Sequence, residues 1–161
     1  MAHAQMDALG ECLTAAFAEL RTLHLPAALG HLDPNPQNII VSPSSCCFLD
    51  WAEGCITHPF LTFEYLREHA RRHFPRSDAP TEGLLAAYLR PWKTCFSDEI
   101  LQRAISLSPL LAVFVYAVAG EKWRSVEAFE NPVLAGYLRA LARRAWREAQ
   151  QFAARSDRCP V

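Results

Sequence analysis

The chain has 161 residues, with 51% hydrophobic and 20% charged residues and a formal net charge of -1. That length and balance suit one globular domain, residues 1–161, with a sizeable core, and they exclude global disorder. The near-zero charge gives no ground for nucleic-acid binding or for a basic membrane-binding surface.

Taken in chain order, Met6, Leu9, Leu13, Phe17, Leu20 and Leu23 recur at helical spacing and predict an amphipathic helix over 6–23, ended by Pro26. Residues 30–41, "GHLDPNPQNIIV", form a stiff, proline-bounded loop that runs into a β-branched stretch read as a buried strand. Ile39–Val41 and Cys47–Leu49 flank Pro43-Ser44-Ser45 and predict a small hairpin. From His58-Pro59 onward the pattern is helical. One stripe is Phe60, Phe63, Leu66 and Ala70; another is Leu84, Leu85, Tyr88 and Leu89, started by Pro80 and Thr81.

Ser97-Asp98-Glu99 opens a further helix with a cap and an acidic first turn, which Pro109 is expected to kink or divide. Asn131-Pro132 caps the last helix, with Leu134, Leu138, Leu141, Ala145 and Ala149 on one face, and the tail from Ser156 reads as loose. The expected fold is mainly α, with one small β-hairpin. The apolar run Leu110–Ala119 is too short to span a bilayer. Six cysteines without a CxxC pair, behind an N-terminus lacking signal-peptide order, read as thiols of a cytoplasmic protein. The arginine clusters at 67, 71, 72 and 76 and at 139, 143, 144 and 147 read as solvated helix faces.

Asp33 alone is an ordinary turn residue. Its setting is less ordinary. His31-x-Asp33-x4-Asn38 precedes an apolar strand, a tight turn, a second apolar strand and Asp50. Phosphoryl transfer needs such an inventory: a carboxylate on a rigid loop to take the acceptor's proton, and oxygen ligands on neighbouring strand ends for magnesium.

The series His31-Leu32-Asp33, Asn38-Ile39-Ile40-Val41 and Phe48-Leu49-Asp50-Trp51-Ala52-Glu53 resembles the catalytic segment of the aminoglycoside phosphotransferase and choline-kinase-like family, which has the protein-kinase-like fold. The resemblance implies Mg²⁺ and ATP as cofactors and transfer of the γ-phosphate to a small-molecule hydroxyl. It makes Asp33 the catalytic base and His31 the residue bracing the loop. Asn38 and Asp50 become the metal and nucleotide ligands, with Glu53 an additional carboxylate near the metal. "HPF" at 58–60 looks like the motif that follows the metal site in some members. Two positions depart from the family: its glycine is Leu32 here, and an aspartate that braces the catalytic loop is replaced around Thr62.

The family's nucleotide-binding lobe, with its phosphate-covering loop and lysine, does not fit in the 32 residues before Asp33. The only lysines are Lys93 and Lys122. The chain therefore reads as the carboxyl-terminal, helical lobe alone. The expected partners are a separate amino-terminal lobe or a second copy, besides the acceptor. The competing reading is a non-catalytic binding or interaction module. Zinc on Cys47, Cys55, His58 and His31 matches no established spacing, and nothing marks an activated thiol for a Cys-His hydrolase. Trp51, Trp92, Trp123 and Trp146 read as packing residues, and His69 and His73 as a solvated face.

Overall fold

A computed structural model describes residues 2–119 and 130–156. Among these the protein is mainly helical: α1 His3–Thr22, α2 Pro59–His73, α3 Ala79–Trp92, α4 Asp98–Ala119 and α5 Pro132–Ser156. Four short strands, β1 Ala28–His31, β2 Ile39–Val41, β3 Cys46–Phe48 and β4 Gly54–Thr57, form two antiparallel pairs, β2 with β3 and β1 with β4. The chain forms two compact units, Leu25–Ser108 and a second made of Met1–His24 with Pro109–Val161.

In the second unit α1 buries Leu9, Leu13 and Ala16. Phe17 packs edge-on to Phe114, with centroids 5.9 Å apart, and Tyr116 meets Tyr137. The Cys12 thiol lies 3.9 Å from the Ala149 carbonyl, which fixes α1 beside α5. The predicted cap of α5 is present: Asn131 Oδ1 accepts from the amides of Val133 and Leu134, and Pro132 takes the first turn where no donor is needed. Trp123 and Cys159 lie outside the described residues.

The unit Leu25–Ser108 is built around α2. His58 caps that helix, with Nδ1 accepting from the Phe60 amide, and Pro59 follows. Phe60 and Phe63 are fully buried and pack against Tyr88, with Trp92 beside Phe60. The Tyr88 hydroxyl donates to the Pro59 carbonyl at 2.7 Å, and burial pushes its pKa up to about 12.

Three expectations change. The hairpin exists with the register Ile39–Phe48, Ile40–Cys47 and Val41–Cys46, but it is not a buried strand pair: Ile40 is 57% and Val41 73% exposed. A second ladder, β1–β4, pairs Leu29 with Ile56 and Gly30 with Cys55 where the sequence read as loop. Its strands are short and interrupted by Gly30, so they carry no alternating signal. Pro109 does not divide α4, which runs through it for 22 residues. That continuity also changes the membrane arithmetic. The run Leu110–Ala119 is short, but α4 as a whole is long and apolar enough to cross a bilayer by length and composition. Half of its most apolar window is buried inside the protein. Leu101, Ala104, Leu107, Ser108, Leu110 and Leu111 are among its buried positions.

Candidate functional site

β1 delivers His31 into the fold, where it is 2% exposed. Its backbone amide donates to Thr62 Oγ1 on α2 at 3.0 Å. The Thr62 hydroxyl thus supplies the acceptor for the His31 amide. Gly30 permits this approach, because a Cβ there would collide with Thr57 Cγ2 and crowd the Thr62 hydroxyl.

The His31 ring ties two backbone segments together. Nδ1 accepts from the Asp33 amide at 3.2 Å, so Nε2 carries the hydrogen and donates to the Leu49 carbonyl at 2.8 Å. The Leu49 amide in turn donates to the Asn38 carbonyl at 2.7 Å. Residue 49 is therefore held at both its polar groups. Trp51 lies against the His31 ring, with centroids 4.7 Å apart, and its indole N–H donates to the Phe48 carbonyl.

Asn38 closes the loop from the other side. Its Nδ2 donates to the Asp33 backbone carbonyl and to Asp33 Oδ2, each at 3.2 Å. Asn35 Oδ1 accepts from the Gln37 amide, which starts the short 3₁₀ turn Pro36–Asn38. With the amide nitrogen committed to Asp33, Asn38 Oδ1 is left as a hard oxygen donor. The hairpin register sets Asn38 opposite Leu49, so Asp50 emerges one residue beyond. Asp50 has φ 55° and ψ 65°, a left-handed conformation that non-glycine residues adopt at a cost of about 1–2 kcal/mol. Its carboxylate is exposed and makes no hydrogen bond or ion pair among the described residues.

The Asp33 carboxylate has its two oxygens in different company. Oδ2 meets Asn38, whereas Oδ1 lies 4.0 Å from His69 Nε2 on α2. His69, read from sequence as part of a solvated face, is thus half-buried beside the loop. Burial first, then Arg72, push its pKa below the ordinary histidine value, with Asp33 pulling the other way. The arginines of α2 also depart from a purely solvated face. Glu64 is 1% exposed and is bound by Arg67, with Arg71 at 3.9 Å. Arg72 pairs with Glu68 at 3.1 Å.

No protein-family model, curated protein or solved structure matches the chain.

Among the described residues no three of His, Cys, Asp or Glu gather as a metal-binding group. That leaves no cluster for zinc on Cys47, Cys55, His58 and His31. Asn38 and Asp50, expected from the sequence as metal ligands, supply two oxygen-bearing side chains at the neighbouring ends of the hairpin. Glu53 ends the 3₁₀ turn Trp51–Glu53 that follows Asp50 and is exposed. The bracing role of Thr62, the gap between Asp33 and His69, and the left-handed Asp50 are details that the sequence alone did not disclose. Only a polar residue two positions after "HPF" hinted at the first.

Proposed function

We propose that Leu25–Ser108 carries the catalytic loop of an ATP-dependent phosphotransferase, in the helical lobe of a protein-kinase-like fold resembling the aminoglycoside phosphotransferase family. One observation carries this reading. A single buried imidazole, His31, connects the backbone of Asp33 to the residue before Asp50. It thereby sets the base and the second metal ligand in one frame, which is what a reaction dominated by positioning requires.

In this reading Asp33 accepts the proton of the acceptor hydroxyl. The hydroxyl oxygen then bonds to the γ-phosphorus as the bond to the β,γ-bridging oxygen breaks, and ADP leaves. Asn38 Oδ1 and the Asp50 carboxylate would hold magnesium, with Glu53 an additional carboxylate three residues after Asp50. When bound, the ion neutralises phosphate charge. Asn38 has a second task, holding Asp33 through its amide nitrogen. The protein in this reading is cytoplasmic, where ATP is available.

The phosphate clamp has to come from elsewhere, since these 161 residues contain no glycine-rich loop. A nucleotide-binding lobe, on the same polypeptide or another, supplies it. The test is a phosphate-transfer assay over hydroxylated amines, sugars and acids, run on the 161 residues alone and joined to such a lobe. The reading predicts little transfer by the first and Asp33-dependent transfer by the second. Robust turnover by the 161 residues alone would contradict the need for a second lobe.

The exposed strands favour a second reading, a non-catalytic interaction module. Leu29 and Ile56 face each other across β1–β4 at 65% and 74% exposure, and Ile40 and Val41 are open on the hairpin. Such apolar surface suits a protein partner. A chain that dimerises or captures a partner while Mg-ATP leaves it unchanged would support this module instead.

A further inference from the structure

We infer that the outward faces of α1 and α5 are a pairing surface for a second copy of this chain, with the carboxylates of each α1 laid against the arginines of the other copy's α5. The inference uses neither the catalytic loop nor the exposed strands, and it does not rest on the phosphotransferase reading.

The charges of α5 come first. Arg139, Arg143 and Arg147 are exposed and four residues apart, so they line one side of the helix at about 6 Å intervals. Like charges at that spacing repel. α5 sets five arginines against one carboxylate, Glu148, which lies 3.8 Å from Arg147. Arg144 and Arg155 have interactions of their own. Glu130 precedes α5 and stands more than two turns from Arg139.

α1 carries the complement. It has no lysine, arginine or histidine between His3 and Arg21, and its Asp7 and Glu11 are exposed at the same four-residue spacing. Its third carboxylate, Glu19, is engaged. Asp7, Glu11, Arg139 and Arg143 form no ion pair among the described residues, whereas α2 pairs Arg67 and Arg71 with Glu64 and Arg72 with Glu68.

The contact of Cys12 with Ala149 sets α1 and α5 side by side. Both stripes are exposed, so neither satisfies the other within one chain. A two-fold axis running along the helices lays α1 on the partner's α5 and α5 on the partner's α1. Every ion pair then forms twice, and the assembly closes at two copies. Helices of 20 and 25 residues side by side offer a face of roughly 600 Å², from about 30 Å of length and about 20 Å of combined width. A stable complex buries about 800 Å² per partner, so this pair is weak, reversible and salt-sensitive.

Sedimentation equilibrium of the full chain, from micromolar to millimolar concentration in low and high salt, tests the pairing. The expected result is a monomer–dimer equilibrium that weakens at least about tenfold in high salt. Asp7→Arg with Glu11→Arg, and separately Arg143→Glu with Arg147→Glu, should each give a monomer, because every contact then opposes like charges. Mixed in equal amounts, the two variants should form a heterodimer, since their reversed faces match. All four positions are exposed, and circular dichroism checks that the helices persist. An unaltered chain that stays monomeric in low salt, or a mixture no more dimeric than its components, would overturn the pairing. A dimer indifferent to salt or to both reversals would overturn it too and would assign the association to the exposed strands.

Discussion

Asp50 is the residue where backbone cost and proposed chemistry meet. A left-handed aspartate strains the exit from β3, and glycine would relieve that strain. Asp50→Gly should therefore leave stability unchanged or raise it by up to about 1 kcal/mol in a urea titration. The same variant should lose metal-dependent nucleotide binding by calorimetry. A destabilised variant that still binds Mg-ATP would show that the carboxylate serves the fold instead. Asp33 tests the base. Once a nucleotide lobe is present, Asp33→Asn should lower turnover by roughly 10²- to 10⁴-fold, the range for a positioned general base. The substitution preserves shape, so equal turnover would remove the proposed role.

At the scale of elements, α2 organises the site. Its Thr62 receives the His31 amide, its His69 faces Asp33 two turns later, and its cap is His58. Thr62→Val should cost about 1–3 kcal/mol, because it leaves the His31 N–H without its acceptor in a closed setting. The loss would appear as a lower urea midpoint. His58 gives a pH dependence. Burial lowers its pKa to about 4 from 6.5, so on acidification the unfolded chain takes up the proton first. Stability should be highest above about pH 6.5 and fall as the pH drops towards 4. His58→Asn keeps a cap oxygen and should flatten that part of the urea-midpoint profile; an unchanged slope would place its origin elsewhere. Elements with strong local signals were legible in the sequence: the caps Asn131 and Ser97, the proline starts of α2 and α5, and the hairpin around Pro43-Ser44-Ser45. Burial of the hairpin was not legible, because Ile39-Ile40-Val41 reads the same whether a face is covered or open. The β1–β4 pairing was hidden too, since a four-residue strand with Gly30 is specified by its contact with α2 rather than by its own pattern.

At the scale of the whole molecule, the candidate site was legible as a spacing and not as a geometry. His31, Asp33, Asn38 and Asp50 stand out in order along the chain. Which oxygen of Asp33 is engaged, and that His69 approaches it, depend on side chains brought together across 36 residues of sequence. In the proposed reading one loop and one hairpin carry the chemistry, and among the described residues a triphosphate would be held through its metal alone. The isolated 161 residues should accordingly bind Mg-ATP weakly. The central claim is that Asn38 and Asp50 hold the nucleotide's metal beside Asp33. Its most direct test is paramagnetic broadening by manganese-ATP in the NMR spectrum of the chain. The account predicts broadening centred on Asn38, Leu49, Asp50 and Trp51, and its loss in Asp50→Ala. Broadening centred elsewhere, or persisting unchanged in Asp50→Ala, would contradict it.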